Sequence, residues 1–310
     1  MAMAVSRQTV TRNLGPSWGF RFLRAADRVL PRPLFRAGLA AGTGVAFLFM
    51  SRQREYAAAY RRALTGKNPR RRDLWRQFFA FIESFMELLR LGRGAPHHFE
   101  LAEGPEGDAF RQFARSDRGA LFGTFHVGNS DLLGYALSYF NRRIHMIRMR
   151  VVNSDDTRWL EERFGDAVSF LWVDHPEQML FALKNAVEAG HSIALKCDRL
   201  ERSGRREAFH FLGQRRLFPF AIYHFSILFE MPAVFAVGWP SGDGRTTITA
   251  SPIFEPDPAA TRNENLQRAR EHFQAVLRDL EQKLTERPEQ WFNFTPLNPE
   301  SDASGPDGSK

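Results

Sequence analysis

The segment FGTFHVGNSDLLG, residues 122–134, sets an imidazole and a carboxylate five positions apart, His126 and Asp131, in the spacing H-x4-D. An apolar run leads into His126, and Gly128 lies between the two residues. A turn at that glycine would let the carboxylate fold back onto the ring. An aspartate that accepts from one ring nitrogen fixes the tautomer and leaves the other nitrogen as a base. Such a pair supplies a base but no protein nucleophile, and it suits a substrate that carries its own hydroxyl. The same spacing also describes a helix N-cap aspartate beside a satisfied strand-end histidine.

Few other residue types point to chemistry. Arg150 and Arg199 each follow an apolar run. They could grip a phosphate bidentately or pair with local acids, Asp198 and Glu201 for Arg199. The single thiol, Cys197, has no thiolate-favouring neighbour in the sequence and reads as a buried residue. His97, His98, His145, His175, His191, His210, His224 and His272 lack zinc spacing and have no cysteine partner, so no metal site is expected. No G-x-G-x-x-G or phosphate-loop pattern occurs, so nucleotide binding has no support.

The elements that must carry His126 follow from the patterning. Ala120–Phe125, Ile144–Met149, Val168–Val173, His191–Leu195 and Ala233–Val237 read as strands. Asp131–Phe140, Ser154–Phe164, Pro176–Ala189 and Leu217–Phe229 read as helices between them. The alternation predicts an α/β fold with a mostly parallel central sheet flanked by helices. PSGDG at residues 240–244 is a turn, and the Thr-rich Arg245–Ala250 after it predicts a closing antiparallel hairpin. Asn263–Thr285 reads as a long charged helix, and the polar residues 297–310 have the composition of a disordered tail.

Length and composition bound the class. The chain has 310 residues, one Cys and 13% aromatic residues, which excludes bulk disorder and a disulfide scaffold. Its mean hydropathy of -0.38 argues against a polytopic membrane protein. Residues 1–100 hold 18 Lys+Arg against 6 Asp+Glu, whereas the remaining residues are slightly acidic. That basic third mixes aromatic and Leu residues with Arg: Trp18, Phe20, Phe22 and Leu23 against Arg21, Arg24 and Arg28. The uncharged run Ala37–Met50 is shorter than the roughly 20 residues a spanning helix needs. An amphipathic, interfacial helix on an anionic surface is the expectation, and a helix packed on the fold is the alternative. A second long helix should begin near Asp73 and reach about Arg90, with Phe78, Ile82, Phe85 and Leu89 facing the core. The expected division is a basic, amphipathic membrane-association region over residues 1–95, an α/β domain over 96–296 and the tail over 297–310.

Five ordered blocks resemble the lysophospholipid acyltransferase superfamily, and more closely the bacterial lipid A biosynthesis acyltransferases. They are FGTFHVGNSDLLG, IRMRVVNSDDTRWLEERFG, WVDHPEQMLFALKNAVEAGHSIALKCDR, FHFLGQRRLFPFAIYHFSILFEMPAVFAVGW and QWFNFTPL, together covering about residues 95–296. Two departures touch the pocket: Phe220-Ala221-Ile222 stands where relatives tend to carry Gly, and Cys197 where a small residue is common. The resemblance implies an acyltransferase-like fold and a general base, His126, oriented by Asp131. It implies substrate contacts from Asn129, Arg150, Asn153 and Arg199, with backbone N–H groups near Gly128 and Asn129, or an arginine, facing the oxyanion. The implied co-substrate is an acyl thioester, acyl-ACP or acyl-CoA, with no resident cofactor. The implied partners are an acyl carrier protein or CoA, a lipid or glycolipid acceptor with a hydroxyl or amine, and an anionic membrane surface, with no nucleic acid. The implied location is the cytoplasmic face of a bacterial inner membrane. A thioesterase-like hydrolase using the same dyad and a non-catalytic, Arg-rich membrane binder are the competing readings.

Overall fold

A computed structural model describes residues 17–148, 163–165, 167–173, 176–200, 204–242 and 244–298. Four helices open the chain: α1 (Ser17–Val29), α2 (Arg32–Phe49), α3 (Ser51–Thr65) and α4 (Arg71–Gly92). Asp73 does mark the start of α4, although Arg70 is its N-cap: the Asp73 carboxylate accepts from the Arg70 backbone N–H at 3.1 Å. Phe78 and Leu89 of α4 are buried in two neighbouring clusters, and Ile82 and Phe85 pack at the edge of the one that holds Leu89.

The α2 segment answers the question its composition raised. Phe35, Leu39, Thr43 and Phe47 recur every four residues and are buried, while Leu34, Val45, Leu48 and Phe49 on other faces are exposed. One stripe packs on the fold and the other stays open. No single helix among the described residues is long and apolar enough to cross a membrane; α2 and α3 together would reach, but they meet at a 95° bend.

The rest is an α/β assembly: β1 (His98–Leu101), α5 (Pro105–Ala114), β2 (Leu121–Thr124), α6 (Leu133–Ser138), β3 (Ile144–Arg148), β4 (Val168–Trp172), α7 (Pro176–Glu188), β5 (Ser192–Lys196), β6 (Arg206–Phe211), β7 (Gln214–Pro219), α8 (Ala221–Phe229), β8 (Ala233–Gly242), β9 (Arg245–Ala250) and α9 (Arg262–Glu286). Seven strands form one sheet in the order β1-β9-β8-β2-β5-β3-β4. From β8 to β4 every pairing is parallel, as the strand–helix alternation predicts. A large core dominated by Phe and Leu covers one face beneath α7, α8 and α9, and a second core under α5 and α6 covers the other.

Three expectations are corrected. The β8–β9 hairpin is antiparallel, but it does not end the sheet, because β1 adds outside it, parallel to β9. The helix expected over Leu217–Phe229 is half strand: Gln214–Pro219 pairs antiparallel with Arg206–Phe211 as a separate hairpin, and only Ala221–Phe229 is helical. Leu212 and Gly213, with φ of 53° and 72°, make the two-residue turn that closes it. The helix expected from Asp131 begins as a 3-10 turn, Ser130–Leu132, and becomes α-helical only at Leu133. The helix expected over Ser154–Phe164 falls almost wholly outside the described residues.

Candidate active site

His126 stands two residues beyond the last paired residue of β2. Thr124 of β2 is in register with Lys196 of β5, a parallel neighbour. Two residues further on, the same register brings Asp198 beside His126, on the same side of the sheet. The Asp198 carboxylate, fully buried, accepts from His126 Nδ1 at 2.7 Å through one oxygen and from the His126 backbone N–H at 2.9 Å through the other. The ring keeps 19% of its side-chain surface exposed. Its Nε2 has no hydrogen bond among the described residues and is the free nitrogen.

The carboxylate on the imidazole is therefore Asp198, and the expected His126–Asp131 contact is not made. Asp131 sits in the 3-10 turn and accepts from Lys196 Nζ at 2.8 Å, with 45% of its side chain open. Lys196 points to the opposite side of β5 from its neighbour Cys197, so β5 delivers an ammonium to one acid while the chain just past it delivers Asp198 to the base. Against the upward push of enclosure, Lys196 and Arg148 hold the Asp131 carboxyl below the usual carboxylate range. Burial likewise pushes Asp198 up, but its contacts with His126 and the Arg199 charge outweigh it and hold the carboxyl below the usual carboxylate range. The His126 imidazole is pulled down to about 3, by burial first and then by Arg199 and Lys196, with Asp198 opposing. A ring so placed is neutral at physiological pH, with the proton on Nδ1 and a lone pair on Nε2.

The loop after His126 is tightly held. Gly128 has φ +48°, and a Cβ there would lie 2.4 Å from the Gly238 carbonyl oxygen, so the position requires glycine. The Gly128 N–H donates to Gln290 O at 2.9 Å and the Asn129 N–H to Gly238 O at 2.7 Å. Both are spent on the fold, which corrects the expectation that they face an oxyanion. The Asn129 side chain is also turned away: it is buried, and its amide donates to Thr246 Oγ1 at 2.8 Å. The C-terminal segment closes the site from the other side. Trp291 bridges to Val127, the Phe292 N–H donates to His126 O at 2.7 Å, and Arg199 Nε donates to Asn293 Oδ1 at 2.7 Å. Arg199 thus fastens the QWFNF segment to the end of β5, and it also lines the cleft in front of His126. Arg150 and Asn153 lie outside the described residues. Cys197 is buried and its thiol is pushed up by that burial, which suits a core residue and not a nucleophile.

His126, Asp131, Arg148 and Lys196 all line one cleft of about 1860 Å³. Its walls are largely apolar. Phe35, Leu39 and Phe85 come from the N-terminal helices, and Leu133, Leu137 and Phe140 from α6 and the residues after it. The arrangement is a neutral imidazole base, locked by a buried carboxylate, beside two cations in a greasy groove. It can take a proton from a hydroxyl or amine and stabilise negative charge developing nearby.

No protein-family model matches this sequence, and no curated protein matches it. Among solved structures, the chain is similar to the 1-acyl-sn-glycerophosphate (LPA) acyltransferase PlsC from Thermotoga maritima. The identity is 14%, the match covers 79% of this chain and 98% of that one, and the TM-score is 0.38.

Proposed function

We propose that this protein is a membrane-associated acyltransferase that moves a fatty acyl group from an acyl thioester to a hydroxyl or amine of a lipid or glycolipid. The observation that carries this reading is the His126–Asp198 pair, 2.7 Å apart, with Nε2 free in an apolar cleft. At about 1860 Å³ the cleft exceeds the ~300–1,000 Å³ typical of small-molecule sites, which suits long-chain substrates. In the proposed step, His126 Nε2 takes the acceptor's O–H or N–H proton as the heteroatom attacks the thioester carbonyl. The tetrahedral oxyanion forms close to Lys196 and Arg148. Its collapse expels the carrier thiolate, which takes the proton back from the imidazolium. Asp198 keeps Nδ1 protonated throughout and stabilises the transient cation. No acyl-enzyme is required, and the acyl-ACP or acyl-CoA donor is consumed as a substrate.

The α1–α2 surface supports the membrane part of the reading. Phe22, Leu34, Leu48 and Phe49 are exposed on these two helices, as are Arg21, Arg28 and Arg32, and Arg52 is exposed at the start of α3. Apolar side chains entering a bilayer interface, ringed by cations that meet anionic headgroups, fit a helix pair lying in the cytoplasmic leaflet.

The test uses the purified full chain, acyl-ACP or acyl-CoA, and vesicles containing lysophospholipid or glycolipid acceptors, with products identified by mass spectrometry. Acceptor-dependent acyl transfer that falls roughly 10²–10⁴-fold in His126→Ala is the expected result. Release of free fatty acid at the same rate with or without acceptor would replace this reading with a hydrolase. Unchanged transfer by His126→Ala would overturn it.

A further inference from the structure

One continuous chain of polar contacts runs from α1 to the loop that carries His126. Asp27 of α1 is gripped by two arginines of the α4 end: Arg90 Nη2 donates to its Oδ1 at 2.7 Å, and Arg93 Nη2 bonds its other oxygen. Arg93 Nη1 also donates to the Arg24 carbonyl at 2.9 Å. Arg90 Nη1 reaches Glu87 Oε1 at 2.7 Å, and Glu87 Oε2 faces His97 Nδ1 at 3.4 Å. His97, almost wholly buried, meets Thr246 Oγ1 through Nε2 at 2.9 Å. Thr246, fully buried on β9, accepts from the Asn129 amide at 2.8 Å. Asn129 lies three residues after His126.

One proton arrangement satisfies every link. Asn129 Nδ2 donates to Thr246 Oγ1, the Thr246 hydroxyl donates to His97 Nε2, and His97 Nδ1–H donates to Glu87. Linked in this way, the groups from Glu87 to the Asn129 amide N–H₂ orient one another, while Asn129 Oδ1 is buried with no partner among the described residues. A second contact runs from the same helix to the same loop, where Ser84 Oγ of α4 donates to Gly128 O at 2.8 Å. The loop is thus fixed by α4 at two points, and α4 is fixed to α1 through Asp27.

We propose that Asp27, Glu87, His97 and Thr246 form a positioning relay, so that the seating of the amphipathic α1 sets the geometry of the loop around His126 and hence the rate of acyl transfer. This rests on the acyltransferase reading for its rate consequence only; the structural coupling can be measured without a substrate. None of the four is a catalytic residue. They act through Asn129 and the loop backbone. An occupant of the α1 surface, a lipid interface, would be felt at the base because both bias one two-state contact, α1 on or off the α4 arginines.

Two measurements on the full-length chain test it. The first is hydrogen–deuterium exchange of the loop amides of residues 128–132. Asp27→Asn, at an α1 residue that does not itself line the cleft, should speed their exchange roughly 2- to 30-fold, the range that coupling of this kind spans. Arg118→Gln breaks an exposed ion pair of similar length, Arg118–Glu255 at 2.8 Å, that involves neither α1 nor α4. It should leave loop exchange unchanged. Faster exchange in Arg118→Gln to the same degree, or none in Asp27→Asn, overturns the relay. The second is a double-mutant cycle in kcat. Thr246→Val removes the hydroxyl without changing shape, and it and Asp27→Asn should each lower kcat while leaving the donor KM unchanged. Together they should cost no more than the worse single change, and Thr246→Ser should restore the rate. Fully multiplicative effects overturn the relay. If exchange couples as expected while no variant or wild-type chain transfers acyl groups, the acyltransferase reading has failed and the relay has not.

Discussion

Replacing Asp198 with Asn keeps the shape of the site and removes the charge that orders it. The carboxylate is fully buried and accepts two hydrogen bonds, from His126 Nδ1 at 2.7 Å and from the His126 backbone N–H at 2.9 Å. An amide has one acceptor oxygen, so one of these two bonds must be lost or inverted. If the oxygen stays on the backbone N–H, the amide N–H₂ faces Nδ1. The ring then turns its lone pair inward and its proton out to Nε2, where the base should be. Loss of a charge-assisted bond in a buried site costs about 1.5–3 kcal/mol. The unfolding midpoint should fall by roughly 2–4 °C for each kcal/mol. The rate consequence is larger, because general-base catalysis contributes about 10²–10⁴-fold and the wrong tautomer forfeits it. Asp131→Asn is the matched comparison. That carboxylate is 45% exposed and among the described residues pairs with Lys196, and such partly open pairs contribute about 0.2–1 kcal/mol, or less than roughly tenfold in rate. The assay is steady-state acyl transfer by both variants on one acceptor, with circular dichroism to verify folding. Asp198→Asn should fall at least about tenfold below Asp131→Asn. Equal losses, or a nearly intact Asp198→Asn, would refute the assignment of Asp198 as the orienting acid.

Four further outcomes follow from the structure. Burial, Arg199 and Lys196 hold the His126 imidazole down to about 3, so the acid limb of kcat/KM should lie well below the ordinary imidazole range near 6.5; Arg199→Gln removes one of those charges and should move the limb upward, and an unmoved limb would count against that charge. The same depressed value means the unfolded chain takes up a proton that the folded one refuses, so conformational stability should fall as pH drops from about 6.5 toward 3, measured by urea unfolding across that range. Phe22→Ser with Phe49→Ser removes two exposed aromatic side chains, each of which contributes up to about 1.5–3 kcal/mol on entering an apolar phase, and should weaken flotation with anionic vesicles far more than it changes Tm; unaltered flotation would defeat the membrane surface proposed for α1 and α2. Gly123→Ala sets a Cβ 2.4 Å from the Phe235 ring in the core beneath His126 and should lower stability by about 1–3 kcal/mol, read as a lower urea midpoint.

What the sequence discloses here is set by range. The five parallel strands around His126 are each a short apolar run between polar turns, and each forms within a residue or two of the expected bounds except for the longer β8. The long α9 also follows its pattern, with Thr261 and Glu264 capping each other at its start. His126 is legible because its apolar strand runs straight into it. Its acid was not, because Asp131 is close in sequence and Asp198 is close in space. Only the β2–β5 register makes 126 and 198 neighbours, and register is a property of two segments together. One signal was present, an aspartate directly beyond an apolar strand in the block ending KCDR. The β6–β7 hairpin is hidden for a local reason. Leu217, Phe218, Phe220 and Ile222 form one apolar run through Pro219, which hides the boundary between strand and helix. β1 is not legible because four residues, HFEL, are too few to show a period.

The last strand-like contact of the chain has a consequence for how activity appears. Gln290 accepts from Gly128, Trp291 bridges Val127, Phe292 bonds the His126 carbonyl and Asn293 takes the Arg199 guanidinium. Every one of these ties joins the middle of the polypeptide to its far end. Closing so long a loop is entropically late, so β2, β5 and their core can be in place while the base is still unframed. A nascent or nicked chain that has lost QWFNF would carry His126 and Asp198 and still lack the frame around them. The catalyst would thus be switched on by completion of its own folding, because the segment that frames the base also brings Phe292 and Phe294 to the wall of the cleft.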